Sequence, residues 1–372
     1  MASKDRHPLV AYQPLRFLFQ LSYIATIIPR LPYYIAVSLI PWFRPHPAWN
    51  AKQTFMTRLT YPLLDMRSRI GITETLTLEK RKQGERFQTV APSTADVYKG
   101  PLASESTKPA TIGGTWYPGV PSADISSSKT VVLYIHGGAF IQDDGRDKTF
   151  GHMAKKLLAK GGADAIFSIQ YRLSGYGGVN PYPAALQDSL SAYLFLLNEF
   201  HIPASHIVVA GDSAGANLVT ALLRYIHEYG AEIGLPAPKC AVLISSWVAP
   251  FQYQTAGNPN RGTDFIPSSV PAWGAHTYAD WLADPDSDPY VTPLGHPFPT
   301  PVPIFASAGS AEMFYEHIQR WVEEMRAVEG NVVELYHEHA APHDTFLVSE
   351  LLGFEESAWA VVAKIGEFVR HC

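Results

Sequence analysis

The chain has 372 residues, 47% of them hydrophobic and 17% charged, which suits one large α/β domain with an accessory piece and excludes a disordered or low-complexity protein. Its formal net charge of -5 leaves no electrostatic footprint for nucleic acid. Two cysteines, Cys240 and Cys372, make no disulfide framework and no N-x-S/T acceptor occurs, so the expected location is intracellular, either cytoplasmic or on the endoplasmic-reticulum membrane through the N-terminus.

The charge is unevenly spread. Residues 1–70 carry Lys4, Arg6, Arg16, Arg30, Arg44, Lys52, Arg58, Arg67 and Arg69 against only Asp5 and Asp65. Residues 1–13 are polar and expected to fray. From Leu15 to Trp42 the chain is strongly apolar, in two runs flanking Pro29-Arg30-Leu31-Pro32. Neither run reaches the ~20 uninterrupted apolar residues that a membrane-spanning helix needs, and no small-residue cleavage site marks a signal peptide. Two readings of residues 15–45 stand: helices packed over an active site as part of a cap, or an interfacial membrane anchor, with basic and aromatic residues placed for a headgroup region. The domain division expected is 1–75 for this segment and 76–372 for a catalytic domain.

Leu59, Leu63, Met66 and Ile70 predict a helix over 48–70. An edge strand is expected at Glu85–Val90 and a second at Ile112–Tyr117, then a loop from Pro118 to Lys129. Strands and helices then alternate: Val131–Ile135, a helix through Met153–Leu158, Ala165–Tyr171, a helix over Pro183–Phe200, Ile207–Val209 with a helix from Ala214, and Ala241–Ile244. Residues 249–300, rich in Pro, Gly, Trp and Asp, break the pattern and read as a lid insertion with a short helix near Ala272–Leu282. The pattern resumes with Val302–Ala306, Met313–Val328, Val332–Tyr336 and Glu355–Val369. This alternation predicts an α/β fold with a mostly parallel central sheet flanked by helices.

Gly211-Asp212-Ser213-Ala214-Gly215 lies between a strand and a helix, the setting of a nucleophile elbow. Serine is a weak nucleophile and needs a base, a group to orient that base, and donors for the developing oxyanion. In this chain order the acid follows the elbow and the histidine comes last. His343, in the loop after the last strand, is the expected base, ahead of His339 and His337. Glu312, the first carboxylate after the preceding strand, is the expected acid, ahead of Glu316, Asp284, Asp286 and Asp288. His136-Gly137-Gly138-Ala139 follows a strand and supplies backbone donors, assigned to Gly137 and Gly138 with Ala214. No H-E-x-x-H, C-x-x-C or P-loop motif is present, so no metal or cofactor is expected.

These motifs resemble the hormone-sensitive-lipase family of serine esterases. His136–Phe140 is similar to its HGGGF loop, with Ala139 in place of the third glycine, and Gly211–Gly215 matches its GDSAG. Tyr171-Arg172-Leu173 with Pro183–Asp188 resembles its YRL…PAALxD segment, and Asp288–Leu294 its DPxxSPL loop. The resemblance departs at Glu312-Met313-Phe314-Tyr315-Glu316, where the family carries an Asp. It implies an α/β-hydrolase fold with a cap built from the N-terminus and the insertion after the nucleophile helix. It also implies serine-dependent ester hydrolysis, and the apolar, aromatic-rich cap suggests a hydrophobic, short-acyl ester such as an acetylated sterol, terpenoid or polyketide. Two rival functions remain, acyl transfer or cyclisation in a biosynthetic pathway, and non-catalytic small-molecule binding on the same fold.

Overall fold

The computed structural model describes residues 6–121, 129–253 and 256–372. Lys4, Asp5, most of the expected Pro118–Lys129 loop and two residues of the 249–300 insertion lie outside the described residues. The N-terminal helices are α1 (Leu15–Ile27), α2 (Leu31–Leu39) and α3 (Ala51–Ile70). The remaining elements, in chain order, are β1 (Phe87–Val90), β2 (Ile112–Tyr117), β3 (Val131–Ile135), α4 (Asp147–Lys160), β4 (Ala165–Gln170), α5 (Ala184–Asn198), β5 (Ile207–Asp212), α6 (Ser213–Ile233), β6 (Cys240–Ile244), α7 (Ser269–Ala279), β7 (Ile304–Gly309), α8 (Tyr315–Arg326), β8 (Val333–Glu338), α9 (Thr345–Leu352) and α10 (Glu355–His371).

The strands form one eight-stranded sheet in the order β1-β2-β4-β3-β5-β6-β7-β8. β1 and β2 pair antiparallel, β2 meets β4 antiparallel, and every later pairing is parallel. The continuous apolar runs noted in the sequence follow from burial on both faces. Val131, Leu133, Ile135, Val209 and Leu243 point into a core shared with α5, α6 and α8. Their alternates Val132, Tyr134, Val208, Val242 and Ile244 point into a second core shared with α4 and α10. Register therefore cannot slip by one residue without exchanging the two cores.

α3 begins with a capping box: Asn50 Oδ1 accepts from Gln53 N–H at 2.9 Å, and Gln53 Oε1 accepts from Asn50 N–H at 2.8 Å. It ends at Gly71, left-handed at φ 66°. Residues 7–12 are ordered, contrary to the expectation of fraying. His7 Nδ1 lies 3.2 Å from Gly71 O, its ring packs on Tyr176, and Ala11 is buried. α9 is absent from the elements expected in the sequence. It is only eight residues long, too short to show a helical repeat, and starts from the left-handed Asp344 (φ 45°), whose carboxylate caps Leu347 N–H at 3.2 Å.

Candidate active site

The parallel register brings the C-terminal ends of β3, β5, β7 and β8 to one rim of the sheet, where open α/β sheets place their ligands. Ser213 follows β5 directly and has φ +49°, a left-handed backbone that costs on the order of 1–3 kcal/mol in a non-glycine residue. A β-carbon at Gly215 would sit 2.0 Å from Ile135 O, so the turn closes only with glycine there.

Three distant side chains meet at this turn. His343 Nε2 lies 3.0 Å from Ser213 Oγ, and His343 Nδ1 lies 2.8 Å from Glu312 Oε2. The second Glu312 oxygen accepts from Gly309 N–H at 3.1 Å. A carboxylate can only accept, so the ring proton sits on Nδ1 and Nε2 is free to take the Ser213 hydroxyl proton. All three residues are buried, Glu312 completely. Burial works against the imidazolium, but the hydrogen bond and charge of Glu312, with Asp264 and Asp212 beyond, hold the His343 pKa above its ordinary value.

The rival residues lie elsewhere. His337 is exposed and bonds Tyr315 Oη at 2.9 Å, and His339 faces His46. Asp288 accepts from the N–H groups of Tyr290 and Val291, and so braces its own loop.

The oxyanion loop departs from the expected assignment. Gly137 N–H donates to Asp212 Oδ2 at 3.0 Å and is therefore occupied. Gly138 and Ala139 line the pocket beside Ser213 and His343, whereas Gly137 does not. This leaves the amides of Gly138 and Ala139, with Ala214 at the N-terminus of α6, as the candidate donors. The backbone reverses here, with Gly138, Ala139 and Phe140 all at positive φ. Tyr171 Oη donates to His136 O (3.0 Å) and Gly137 O (3.1 Å), pinning the loop from beneath. The Ala139 methyl is seated against Gly274 of α7, where an added β-carbon would lie 2.9 Å from it.

Sequence reasoning also missed the acids behind the site. Asp212 accepts from Tyr134 Oη at 2.6 Å as well as from Gly137, so one carboxylate joins the elbow to the oxyanion loop. Asp344, next to His343, is buried, and burial together with the charge of Asp212 pushes its pKa well up, which favours its neutral form. Asp264 accepts from Phe265 N–H and Met313 N–H at 2.8 Å each, and burial raises its pKa to about 6. Asp212 stands inside the GDSAG match, but its bracing role, like the positions of Asp264 and Asp344, becomes visible only when the loops are assembled.

The cleft above Ser213 is walled by Leu64, Phe265, Ile266, Val270, Phe314 and Leu347. Phe314 packs edge-on against the His343 ring, 5.1 Å between centroids. Among the described residues no group of three or more His, Cys, Asp or Glu is disposed to hold a metal ion.

Comparison with known proteins agrees with this geometry. The alpha/beta hydrolase fold family matches residues 132–347. An acetyl-hydrolase from Streptomyces hygroscopicus is 35% identical over 116 residues, 31% of this chain and 35% of that protein. The esterase LipU of Mycobacterium tuberculosis is 28% identical over 258 residues, 68% of this chain and 81% of that protein. The match therefore spans about a third of the first relative and most of the second. A crystal structure of an esterase from the bacterial hormone-sensitive lipase family shares the fold, with TM-score 0.57, 21% identity and coverage of 92% of this chain and 98% of that one. The chain belongs to the alpha/beta hydrolase fold family, and its elbow and oxyanion-loop motifs resemble the hormone-sensitive-lipase-like branch.

Proposed function

We propose that this chain hydrolyses carboxylic esters with Ser213 as nucleophile. The observation that carries the reading is the unbroken hydrogen-bonded line Ser213–His343–Glu312 at the floor of an apolar cleft. His343 Nε2 takes the hydroxyl proton as Ser213 Oγ attacks the carbonyl, then returns it to the leaving alcohol. Glu312 fixes the tautomer and stabilises the imidazolium. The N–H groups of Gly138, Ala139 and Ala214 receive the tetrahedral oxyanion, each contributing on the order of 3 kcal/mol to the transition state. Water, activated by the same histidine, cleaves the acyl-enzyme.

The aliphatic and aromatic walls favour a hydrophobic ester, and one relative is named an acetyl-hydrolase. An acetylated sterol, terpenoid or polyketide from secondary metabolism fits both features. α3 and the 249–300 insertion, which supply Leu64, Phe265, Ile266 and Val270, act as the cap. The partners that follow are a small apolar ester and, through residues 15–45, a lipid surface.

A fluorophosphonate probe tests the reading. It labels wild type and leaves Ser213→Ala unlabelled, and the same substitution removes hydrolysis of p-nitrophenyl acetate. An unlabelled wild type would make the chain a binding protein. Transester product formed in preference to acid when a competing alcohol is added would make it an acyltransferase. Preference for charged esters over acetylated apolar ones would overturn the substrate class.

A further inference from the structure

The apolar N-terminal helices are not buried. α1 has thirteen residues and only Ile27 among them is buried. Phe17 (55%), Leu18 (56%) and Leu21 (50%) on α1, Leu39 (65%) on α2 and Trp42 (90%) just beyond it stand in solvent. Scattered exposed apolar residues are ordinary on a protein surface; a run of them on consecutive elements is not. Among the described residues up to 75, Leu64 alone lines the catalytic cleft, so the exposed face of α1 and α2 does not serve as a wall of that cleft.

Two features choose the occupant. From Arg6 to Leu64 the sequence contains no Asp or Glu, while it carries Arg6, Arg16, Arg30, Arg44, Lys52 and Arg58. Arg44 is taken up by the Ser38 and Trp49 carbonyls, but Arg16 on α1 and the exposed Arg30 between α1 and α2 stand on the apolar segment itself, a combination that complements an anionic lipid headgroup layer. No described helix is long and apolar enough to cross a membrane. The helices therefore suit lying in the interface, with Trp42 and the neighbouring Tyr33 and Phe43 at headgroup depth.

The face is mechanically joined to the cleft. Asp65 of α3 accepts the Tyr23 hydroxyl of α1 and the Ser269 hydroxyl of α7, the latter at 2.6 Å. Ser68 Oγ also donates to Ser269 Oγ at 2.6 Å. One side of this clamp carries α1. The other carries Val270 and Pro271 of the lid helix, which wall the cleft.

We infer that the outer face of α1, α2 and the Pro41–Phe43 turn docks on an anionic bilayer, and that the enzyme takes its apolar ester from that bilayer through the lid clamped to it. The docking stands on the surface alone; the loading step rests on the proposed ester hydrolysis.

The test uses the full chain, purified without detergent, floated with vesicles of phosphatidylcholine alone or with three parts in ten phosphatidylserine. Wild type floats with the anionic vesicles, binds neutral ones at least tenfold more weakly, and is released by salt. Leu18→Glu/Leu21→Glu lowers partitioning at least tenfold, and Arg16→Gln/Arg30→Gln lowers it on the order of tenfold. Both variants keep wild-type hydrolysis of a water-soluble aryl acetate, which shows that they fold, and lose at least fivefold on an ester dissolved in the vesicles. Ser213→Ala floats like wild type, which separates docking from catalysis. Absence of flotation, unchanged flotation of the Leu18/Leu21 variant, or a dimer in light scattering that the same variant dissociates would each overturn the docking. Normal flotation with no variant-dependent loss on the vesicle-borne ester would overturn the loading step.

Discussion

Replacing Glu312 by glutamine exchanges one atom and keeps the shape of a fully buried side chain, so the effect isolates the carboxylate. Gly309 N–H donates to Glu312 Oε1 at 3.1 Å and fixes the amide oxygen on that side. The amide NH₂ then faces His343 Nδ1, 2.8 Å away, and forces that nitrogen to accept. The ring proton moves to Nε2 and points at Ser213 Oγ, so the base arrives already protonated. The imidazolium also loses its nearest countercharge in a water-poor site. A carboxylate-to-amide change at this place in a Ser-His-Asp triad costs about 10⁴-fold in kcat, or roughly 5.5 kcal/mol. The assay is stopped-flow acylation with p-nitrophenyl acetate, with the urea midpoint as a check on folding. The pH profile gives a second reading. Neutral His343 is the active form and its pKa is raised in part by Glu312, so wild-type kcat/KM falls as pH drops through a value above the usual histidine range, and Glu312→Gln moves that limb to lower pH. A well-folded Glu312→Gln with kcat within tenfold of wild type would refute the assignment and turn attention to Asp264.

Three further outcomes are expected. Asp212→Ala frees Gly137 N–H and the Tyr134 hydroxyl, loosens the oxyanion loop, and lowers kcat about 10–100-fold with little change in KM, measured by steady-state kinetics. Glu338 is buried at the end of β8, and burial raises its pKa to about 7 from 4.5. The folded state therefore holds a proton that the unfolded chain releases, so the contribution is complete below about pH 4.5 and declines as pH rises to 7, by up to about 3 kcal/mol. Urea unfolding at pH 5 and pH 8 shows this loss in wild type and a flatter dependence in Glu338→Gln. Arg172 holds the buried Asp188 through two guanidinium nitrogens at 2.8–3.0 Å. Arg172→Met strands that carboxylate and lowers unfolding free energy by about 3–5 kcal/mol in the same assay.

The parallel sheet was legible because strands buried on both faces must be apolar throughout, as in Val131–Ile135, and because helices between them repeat at a different period. The elbow was legible because Gly211, Ser213 and Gly215 answer a local steric demand within five residues. Glu312 and His343 could be located by their order relative to the strands, and the structure places His343 against Ser213 and Glu312 against the far side of His343. The oxyanion donors could not be located that way. Which amide faces the cleft depends on the φ values of Gly138, Ala139 and Phe140 and on Asp212 capturing Gly137, a partner 75 residues away. The ordering of residues 7–12 likewise depends on Gly71 and Tyr176, and nothing in their own composition announces it.

Gly274 sets how close the lid helix can come to the oxygen-binding loop. A β-carbon there would lie 2.4 Å from the Ala139 carbonyl oxygen and 2.9 Å from the Ala139 methyl. The tighter contact is to backbone, so shrinking residue 139 to glycine would not make room for a larger residue 274. Any side chain at 274 would push the roof upward or drag the amide of residue 139 out of line, and an engineer seeking room for a bulkier alcohol should leave that position as glycine.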